Sequence, residues 1–549
     1  MSWLMSLARE EIIALKPYRS ARGESLGRDL VQLDANESYT APYSSQFTEM
    51  NLNRYPEPQP QLLKNKLANL YQVEPEQLLM TRGMDEGIDL LIRVFCKPYQ
   101  DQICIMPPTF GYYEVSARIN GTGVTVCPLL MSEGFEPDWN ALSTISGVNI
   151  IFLCNPNNPT GQLFSLEAIE SLCMAQAQKA IIAVDEAYIE FSSQRSATSL
   201  LERCENLVVL RTLSKAYALA GARIGTVIAS PAIIGLLRKI IPPYPMPSPS
   251  VFAALDALSP VNLAYSNKRN NDLIKSRDEL MSKLRELPTL IAIYPSAANF
   301  ILIQISNAAE CYLSLKKQGI LVRDRSMDLP NSLRITVGSP EENELLLAAL
   351  GLIPSYKTSY RRACYRRCTA ETDVMVELCL DDLGQSEIKT GIGYFDHMLE
   401  QIARHSGMSL FIQVEGDLQV DQHHTIEDVA LSLGSALKQA LENKKGIQRY
   451  GFVLPMDESM ATVSLDLSGR GFSQFDGTFL TPMLGDFPTE MVAHFFQSLA
   501  STMPAAIHIT VRGENTHHMV ESCFKCFGRA LKQAVTCYGQ QLPSSKGVL

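Results

Sequence analysis

All eight histidines of this 549-residue chain lie between His397 and His518, and residues 1–396 hold none. A chain of this length exceeds what one hydrophobic core can serve, so about two to four domains are expected. The segregation of histidine sharpens that expectation to two halves carrying different chemistries.

The histidine-bearing half also repeats itself. His423-His-Thr-Ile-Glu427 returns as His517-His-Met-Val-Glu521 at an offset of 94, which also carries Gly434 onto Gly528 and Ala436-Leu-Lys-Gln-Ala440 onto Ala530–Ala534. His397 pairs with His494, and Gly416 with Gly513, at an offset of 97. The half therefore reads as a duplicated α/β unit, each copy giving one isolated histidine and then a HHxxE opening a helix. Residues four apart share a helix face, so His423 can converge with Glu427 and His517 with Glu521. His424 and His518 point sideways and can serve a second ion, across a subunit boundary if need be. With His397 and His494 the set is six imidazoles and two carboxylates. Nitrogen and oxygen donors without thiolate suit manganese or iron better than structural zinc. His405 and His508 fall outside the pattern and are expected to be structural.

In the first half, from Leu30 to about Leu350, short apolar strands alternate with helical patterns, the mark of an α/β domain with a mostly parallel sheet. Asn149–Cys154, Ala180–Val184 and Asn206–Leu210 read as buried strands, and the proline-rich Pro242–Pro249 as a loop or domain crossing. Ile353–Cys368 reads as the hinge between the halves. Its basic run, Arg361, Arg362, Arg366 and Arg367, is expected to be solvated.

Composition closes off other classes. A net charge of −10 without a long basic run argues against nucleic-acid or anionic-membrane partners. Thirteen cysteines without regular spacing read as reduced thiols. No apolar stretch matches a signal peptide or a membrane span, so a cytoplasmic protein is expected.

The most informative stretch of the first half is Arg211-Thr-Leu-Ser-Lys-Ala-Tyr-Ala-Leu-Ala-Gly-Ala-Arg-Ile-Gly225. A Ser-Lys pair alone means little. Here Lys215 follows a strand among small residues, an arrangement that lets it form a Schiff base with an aldehyde cofactor while Ser214 and Arg223 hold a phosphate. Asp185, ending a buried strand in Val184-Asp-Glu-Ala-Tyr188, can pair with a protonated pyridine nitrogen. Taken singly, a strand-end aspartate is more often a cap. Cys154-Asn-Pro-Asn-Asn-Pro-Thr-Gly161 can present Asn158 to the ring hydroxyl, with Tyr188 nearby. Arg82-Gly-Met-Asp-Glu86, containing Asp85, opens a helix whose amides can cradle the phosphate.

These segments, with Arg54-Tyr-Pro56 and Leu333-Arg-Ile-Thr-Val-Gly338, resemble the aspartate-aminotransferase-like fold and, within it, the histidinol-phosphate aminotransferase family, over Leu7 to about Leu350. The resemblance implies pyridoxal 5'-phosphate on Lys215, which also shuttles the proton, with Asp185 as the pyridine partner. It implies a homodimer in which Tyr55 reaches the neighbour's cofactor phosphate, and Arg323, Arg334 and Tyr18 around the substrate's anionic group. Glutamate and the phosphorylated substrate would use that pocket in turn. The ring-stacking position in Pro107-Pro-Thr-Phe-Gly111 holds Phe110 where tyrosine is expected.

The second half resembles the imidazoleglycerol-phosphate dehydratase family from about Thr369 to Leu549. The resemblance rests on Gly391-Ile-Gly-Tyr-Phe-Asp-His-Met-Leu399, Asp421-Gln-His-His-Thr-Ile-Glu-Asp428 and Leu542-Pro-Ser-Ser-Lys-Gly547. It implies two Mn(II) held by His397, His423, His424, Glu427, His494, His517, His518 and Glu521. It also implies substrate contacts from Glu371, Arg449, Arg470, Ser545 and Lys546, and trimers assembled into a larger shell with sites between subunits. Ala493 replaces an expected acidic residue. Eliminating water means removing a hydrogen from a carbon beside imidazole, which is barely acidic; a ring held by metal through both nitrogens stabilises the charge that develops. Either Glu371 or Glu521 could move the proton.

The expected fold class is thus α/β and α+β. An aspartate-aminotransferase-like domain (1–352) and a linker (353–368) precede a dehydratase domain of duplicated α/β units (369–549). The dehydratase product, imidazole-acetol phosphate, is the ketone the aminotransferase consumes. Two alternatives stay open: an aminotransferase of other specificity, such as aromatic, and a second half that is a metal-binding assembly scaffold.

Overall fold

The computed structural model describes residues 31–32, 57–242, 244–353, 360–381, 386–539 and 541–544. Contacts divide the chain into two compact units: Met1–Ser259 with Ser266–Tyr356, and Lys357–Leu549 with Pro260–Tyr265. Among the described residues no helix is long and apolar enough to cross a membrane.

The first unit is built on a seven-stranded sheet of β1 (Leu78–Arg82), β2 (Gln102–Ile105), β3 (Gly123–Val126), β4 (Ile150–Cys154), β5 (Ile181–Asp185), β6 (Leu207–Thr212) and β7 (Ile224–Ala229). The order is β1-β7-β6-β5-β4-β2-β3, parallel except for β7, which runs antiparallel to both neighbours. β4, β6 and β7 are buried at every position, as continuous apolar strands covered on both faces must be. Register aligns Cys154 with Asp185 and Asp185 with Leu210, so the carboxyl ends of β4, β5 and β6 finish side by side. In such sheets that edge is where ligands bind. A second, antiparallel sheet has the order β10-β11-β9-β8, from β8 (Leu290–Ile293), β9 (Phe300–Ile305), β10 (Arg323–Asp324) and β11 (Ser332–Thr336). Its strands carry Arg323 and Arg334 in direct cross-strand register.

The proline-rich stretch expected as a loop ends in a helix, Ser248–Ala257, with proline in its first turn, where the missing N–H costs nothing.

The second unit carries its duplication in its topology. One sheet has the order β12-β13-β15-β14, from β12 (Arg362–Cys368), β13 (Thr372–Cys379), β14 (Glu387–Lys389) and β15 (Ser409–Gly416). The other has the matching order β16-β17-β19-β18, from β16 (Tyr450–Met456), β17 (Ser459–Asp466), β18 (Phe472–Asp476) and β19 (Ala506–Arg512). The basic run read as solvated linker is instead the start of this unit. Arg361 pairs with Asp381 at 2.8 Å, Arg366 with Asp373 at 2.7 Å and Arg367 with Asp428 at 2.7 Å. A hairpin that brings carboxylates opposite the arginines overrides the preference of like charges for solvent.

Each repeat has a helix bearing the isolated histidine and a helix opened by HHxxE: α2 (Gly393–Ser406) and α3 (His423–Leu441), then α4 (Met491–Thr502) and α5 (Thr516–Val535). The helices pack across the repeats, α3 against α4 and α5 against α2. The repeated glycines make this close approach possible. A Cβ at Gly434 would stand 2.7 Å from the Leu499 carbonyl oxygen, and one at Gly528 2.9 Å from that of Ile402. Phe495 on α4 packs on Phe395 of α2 at 5.6 Å and on Phe524 of α5 at 5.1 Å, tying these three helices into one core. Gly434→Ala is expected to destabilise this unit by about 1–3 kcal/mol, because the neighbouring backbone cannot yield as a flexible side chain would. Denaturant unfolding of the variant checks this.

Candidate active sites

In the first unit the carboxyl ends of β4, β5 and β6 open into a cavity of about 740 Å³. Asp85, Phe110, Asn158, Asp185, Tyr188, Ser214, Lys215, Arg223, Arg323 and Arg334 all line it. Tyr18 and Tyr55 lie outside the described residues.

Two adjacent carboxylates close β5 and take different partners. Glu186 is fully buried and accepts from Ser196 Oγ at 2.5 Å, Ala197 N at 2.6 Å and Arg211 Nη1 at 3.3 Å, so its charge is spent inside the fold. Asp185 is 1% exposed yet lines the cavity, accepting from Tyr113 Oη at 2.5 Å and Ala187 N at 3.1 Å. Burial outweighs these hydrogen bonds and pushes its pKa up to about 7. A carboxylate so placed suits a cationic ring nitrogen, whose charge offsets the lost hydration.

The opposite wall suits a phosphate. The amino end of α1 (Gly83–Phe95) is part of it; Gly83 N donates to the Arg223 carbonyl at 2.9 Å, and the amides that follow in the first turn have no acceptor within the helix itself. Gly83, at φ +71°, lets the Arg223 guanidinium lie against that turn; a Cβ there would stand 2.5 Å from Arg223 Nη2. Arg223 pairs with Asp85 at 3.0 Å, and Ser214 Oγ accepts from Thr212 Oγ1 at 2.9 Å. The residues present therefore fit a pyridine ring bearing a phosphate, with Lys215 lining the same cavity. Arg334 Nη1 donates to Asn158 Oδ1 at 2.5 Å, and its guanidinium lies 5.2 Å over Phe300, against which the Tyr188 ring also packs at 5.2 Å. Phe110 packs edge-on to Tyr113 at 5.5 Å.

Two features of this cavity escaped the sequence reading. Tyr113, stacked on Phe152 at 4.7 Å, reaches Asp185 across 72 residues; its signal was only a second aromatic close after Phe110. Arg325 also lines the cavity, paired with Asp328 at 2.5 Å; it sits two residues past Arg323 and was legible as a third cation.

The raised pKa of Asp185 makes a signed prediction. The folded protein holds this proton more tightly than the unfolded chain. Its contribution to stability is therefore full below the ordinary value of 3.8 and is lost as pH rises through about 7. In the cofactor-stripped chain, Asp185→Asn should remove up to about 4 kcal/mol of pH dependence between those limits. Urea unfolding at several pH values measures it, and parallel curves for wild type and variant would contradict it.

In the second unit the crossed helices set the site. His423 and Glu427 on α3 meet His494 on α4, the three ligand atoms all within 4.8 Å of one another. His423 Nε2 lies 3.9 Å and His494 Nε2 3.3 Å from Glu427 oxygens. Reciprocally, His397 on α2 lies 3.8 Å from Glu521 on α5, and His517 lies 3.7 Å from the same carboxylate. Each isolated histidine thus serves the HHxxE of the other repeat. His494 Nε2 is buried without a hydrogen-bond partner, as an imidazole nitrogen offered to a cation would be. The donor set therefore fits a metal ion of the manganese or iron type.

His424 and His518 stand apart from these clusters. His424 Nδ1 meets Asp417 at 3.0 Å and His518 Nδ1 meets Glu458 at 3.0 Å. Glu371 Oε1 lies 3.7 Å from His424 Nε2. Asp417 and Glu458 were not singled out from sequence, nor was Lys525, whose Nζ lies 2.8 Å from Glu521 one helical turn on. His405 ends α2, and His508 sits on β19 against Phe472, both outside the clusters.

Arg449 holds Asp466 through two hydrogen bonds of 2.6 and 3.1 Å and donates to the Pro543 carbonyl at 3.1 Å, while Arg470 is exposed beyond β17. Ser545 and Lys546 lie outside the described residues. β17 begins beside Glu458 and ends at Asp466, so its eight residues put roughly 20 Å or more between Arg449 and His518 of one chain.

Residues 29–350 match the family model for aminotransferase class I and II, and residues 390–531 that for imidazoleglycerol-phosphate dehydratase. The chain is 43% identical over 357 residues to a histidinol-phosphate aminotransferase of Aeromonas hydrophila, covering 64% of this chain and 99% of that one. It is also 43% identical over 347 residues to that of Cronobacter sakazakii, covering 63% and 95%. Two solved structures share the fold. One is the histidinol-phosphate aminotransferase of Sinorhizobium meliloti in complex with pyridoxal-5'-phosphate (24% identity, TM-score 0.57, 63% of this chain and 96% of that one). The other is the aspartate aminotransferase of Thermus thermophilus (22%, 0.55, 63% and 98%).

Proposed function

The chain belongs to the class I and II aminotransferase family, and from that premise we propose that it is a bifunctional enzyme of histidine biosynthesis. The second unit dehydrates imidazoleglycerol phosphate to imidazole-acetol phosphate, and the first transfers an amino group from glutamate to that ketone, giving histidinol phosphate. The observation that carries the pairing is that two converged constellations stand on one chain: Lys215 and Asp185 in one cavity, and the crossed histidine–glutamate clusters in the other unit.

In the first unit Ser214, Arg223 and the amides of α1 would hold the phosphate of pyridoxal 5'-phosphate, Asp185 its ring nitrogen, and Lys215 its aldehyde carbon. The cofactor, when bound, supplies an electron sink. Tyr113 and burial hold Asp185 in place. The Lys215 amine would move the proton at the substrate carbon bearing the nitrogen. Arg323 and Arg334, with Arg325 beside them, bind the substrate's phosphate or the carboxylate of glutamate. These three guanidiniums, in a cavity that Arg223 also lines, favour a phosphorylated ketone over an unphosphorylated aromatic keto acid.

In the second unit His423, Glu427 and His494 would hold one Mn(II), and His397, His517 and Glu521 another, with His424 and His518 as further ligands. The metal, when bound, supplies Lewis-acid stabilisation of charge on the imidazole ring. Glu371 moves the proton at the carbon attached to that ring, and Arg449, Arg470, Ser545 and Lys546 bind the phosphate. Because Arg449 lies far from His518 of its own chain, one substrate reaches both of these residues only where two chains meet. The site is therefore shared between copies in a trimer-based shell, with dimers of the first unit. A cytoplasmic setting is part of the proposal, supported by the thirteen free cysteines.

A panel of acceptor ketones with glutamate tests the specificity: imidazole-acetol phosphate should be aminated far faster than aromatic keto acids. Equal rates would turn the reading toward a broad aminotransferase.

A further inference from the structure

The two repeats of the second unit can be laid on one another position by position. Asp373 pairs with Glu415 across one sheet, and Met460 with Arg512 across the other. Glu371, in the turn between β12 and β13, therefore corresponds to Glu458, in the turn between β16 and β17. Asp417, which follows β15, corresponds to Glu514. If the repeats used their side chains alike, Glu371 would hold His424 as Glu458 holds His518.

They do not. His518 Nδ1 is held by Glu458, through both carboxylate oxygens at 3.1 and 3.0 Å. His424 Nδ1 is held by Asp417, through oxygens at 3.2 and 3.0 Å, from the other side of the repeat. Glu514 is exposed, and Glu371 is 54% exposed, facing His424 Nε2 at 3.7 Å instead of its Nδ1. A carboxylate accepting from one ring nitrogen fixes the tautomer and orientation and makes the other nitrogen the better donor to a cation. Both histidines stand at the start of a helix, 31% and 33% exposed.

We propose, resting on the dehydratase reading above, that Asp417 and Glu458 are positioning residues that present the Nε2 atoms of His424 and His518 to metal ions. They are drawn from non-equivalent places in the two repeats, and the exchange releases Glu371, in the place equivalent to Glu458, to act on substrate. The duplication has thus split one ancestral carboxylate position into a chemical residue in the first repeat and a positioning residue in the second.

The test is Mn(II) titration of the full, metal-stripped chain, read from the signal of the free ion by electron paramagnetic resonance. Dehydration is measured alongside. Glu458→Ala and Asp417→Ala should each weaken metal binding by about 10–100-fold. Glu371→Gln should bind metal as wild type does and lose dehydration. Transamination by the same chains and unchanged metal-free melting show that the variants are folded. Should Glu458→Ala not melt cooperatively, Glu458→Asp takes its place: its shorter side chain should cost about tenfold in affinity, and unaltered affinity would count against the proposal. Glu458→Ala binding metal as wild type while losing dehydration would overturn it, since Glu458 would then be chemical. A wild-type chain that binds no Mn(II) would overturn the dehydratase reading itself, a distinct outcome.

Discussion

Lys215→Ala is expected to lower amination of supplied imidazole-acetol phosphate by about 10⁴-fold or more while leaving dehydration by the same chain unchanged. In the proposed reading the lysine has two tasks that no neighbour can take over: it would bond the cofactor's aldehyde carbon and move the proton at the substrate carbon. The remaining walls of the cavity hold rather than transfer: Asp185 is buried under Tyr113, and Arg334 is engaged with Asn158. Cofactor binding should weaken less than turnover, because Ser214, Arg223 and the start of α1 are untouched. Rates of both half-reactions on purified variant check this. A loss in amination below tenfold would remove Lys215 from the chemistry.

His494→Ala is expected to abolish dehydration, by at least about 10³-fold, and to release the ion of the His423–Glu427 cluster while the His397–His517–Glu521 cluster keeps its own. The expectation comes from the crossing of the helices. Although His494 belongs to the second repeat, its Nε2 lies 3.3 Å from Glu427 of the first. His423→Ala should therefore act on the same ion, and the double variant should be no worse than either single one, as for groups that act as a unit. Pairing within a repeat would instead couple His494 to His517. Elemental analysis with activity on the two double variants, His423/His494 and His494/His517, separates these outcomes.

How much of this was legible in the sequence depended on how local the determinant is. The strands ending at Cys154, Asp185 and Thr212 could be read because strands of a parallel sheet are buried on both faces and so continuously apolar. Once those strands are aligned, Asn158, Asp185 and Lys215 follow, since each sits at or just past a strand end. Tyr113 could not be read as the partner of Asp185, because that contact spans 72 residues and depends on the helix phase of Tyr112–Asn120. In the second unit the repeat named the histidines and glutamates. A repeat tells which residues correspond, not which copy they pack against. The crossing rests on the tight contacts at Gly434 and Gly528, and a glycine in a sequence does not say what approaches it. The arginines before Cys368 misled for a related reason. A run of like charge predicts solvent only until a hairpin lays Asp373 opposite Arg366, and a helix brings Asp428 to Arg367.

The most direct test of two linked activities on one chain is a one-pot reaction of purified protein with imidazoleglycerol phosphate, Mn(II), pyridoxal phosphate and glutamate. Each component is omitted in turn and the products are followed by mass. The account predicts histidinol phosphate only when all are present, and accumulation of imidazole-acetol phosphate when glutamate alone is left out. If supplied ketone is aminated while imidazoleglycerol phosphate stays untouched in the presence of Mn(II), the second unit is not a dehydratase of this substrate, and the account of a bifunctional enzyme is wrong.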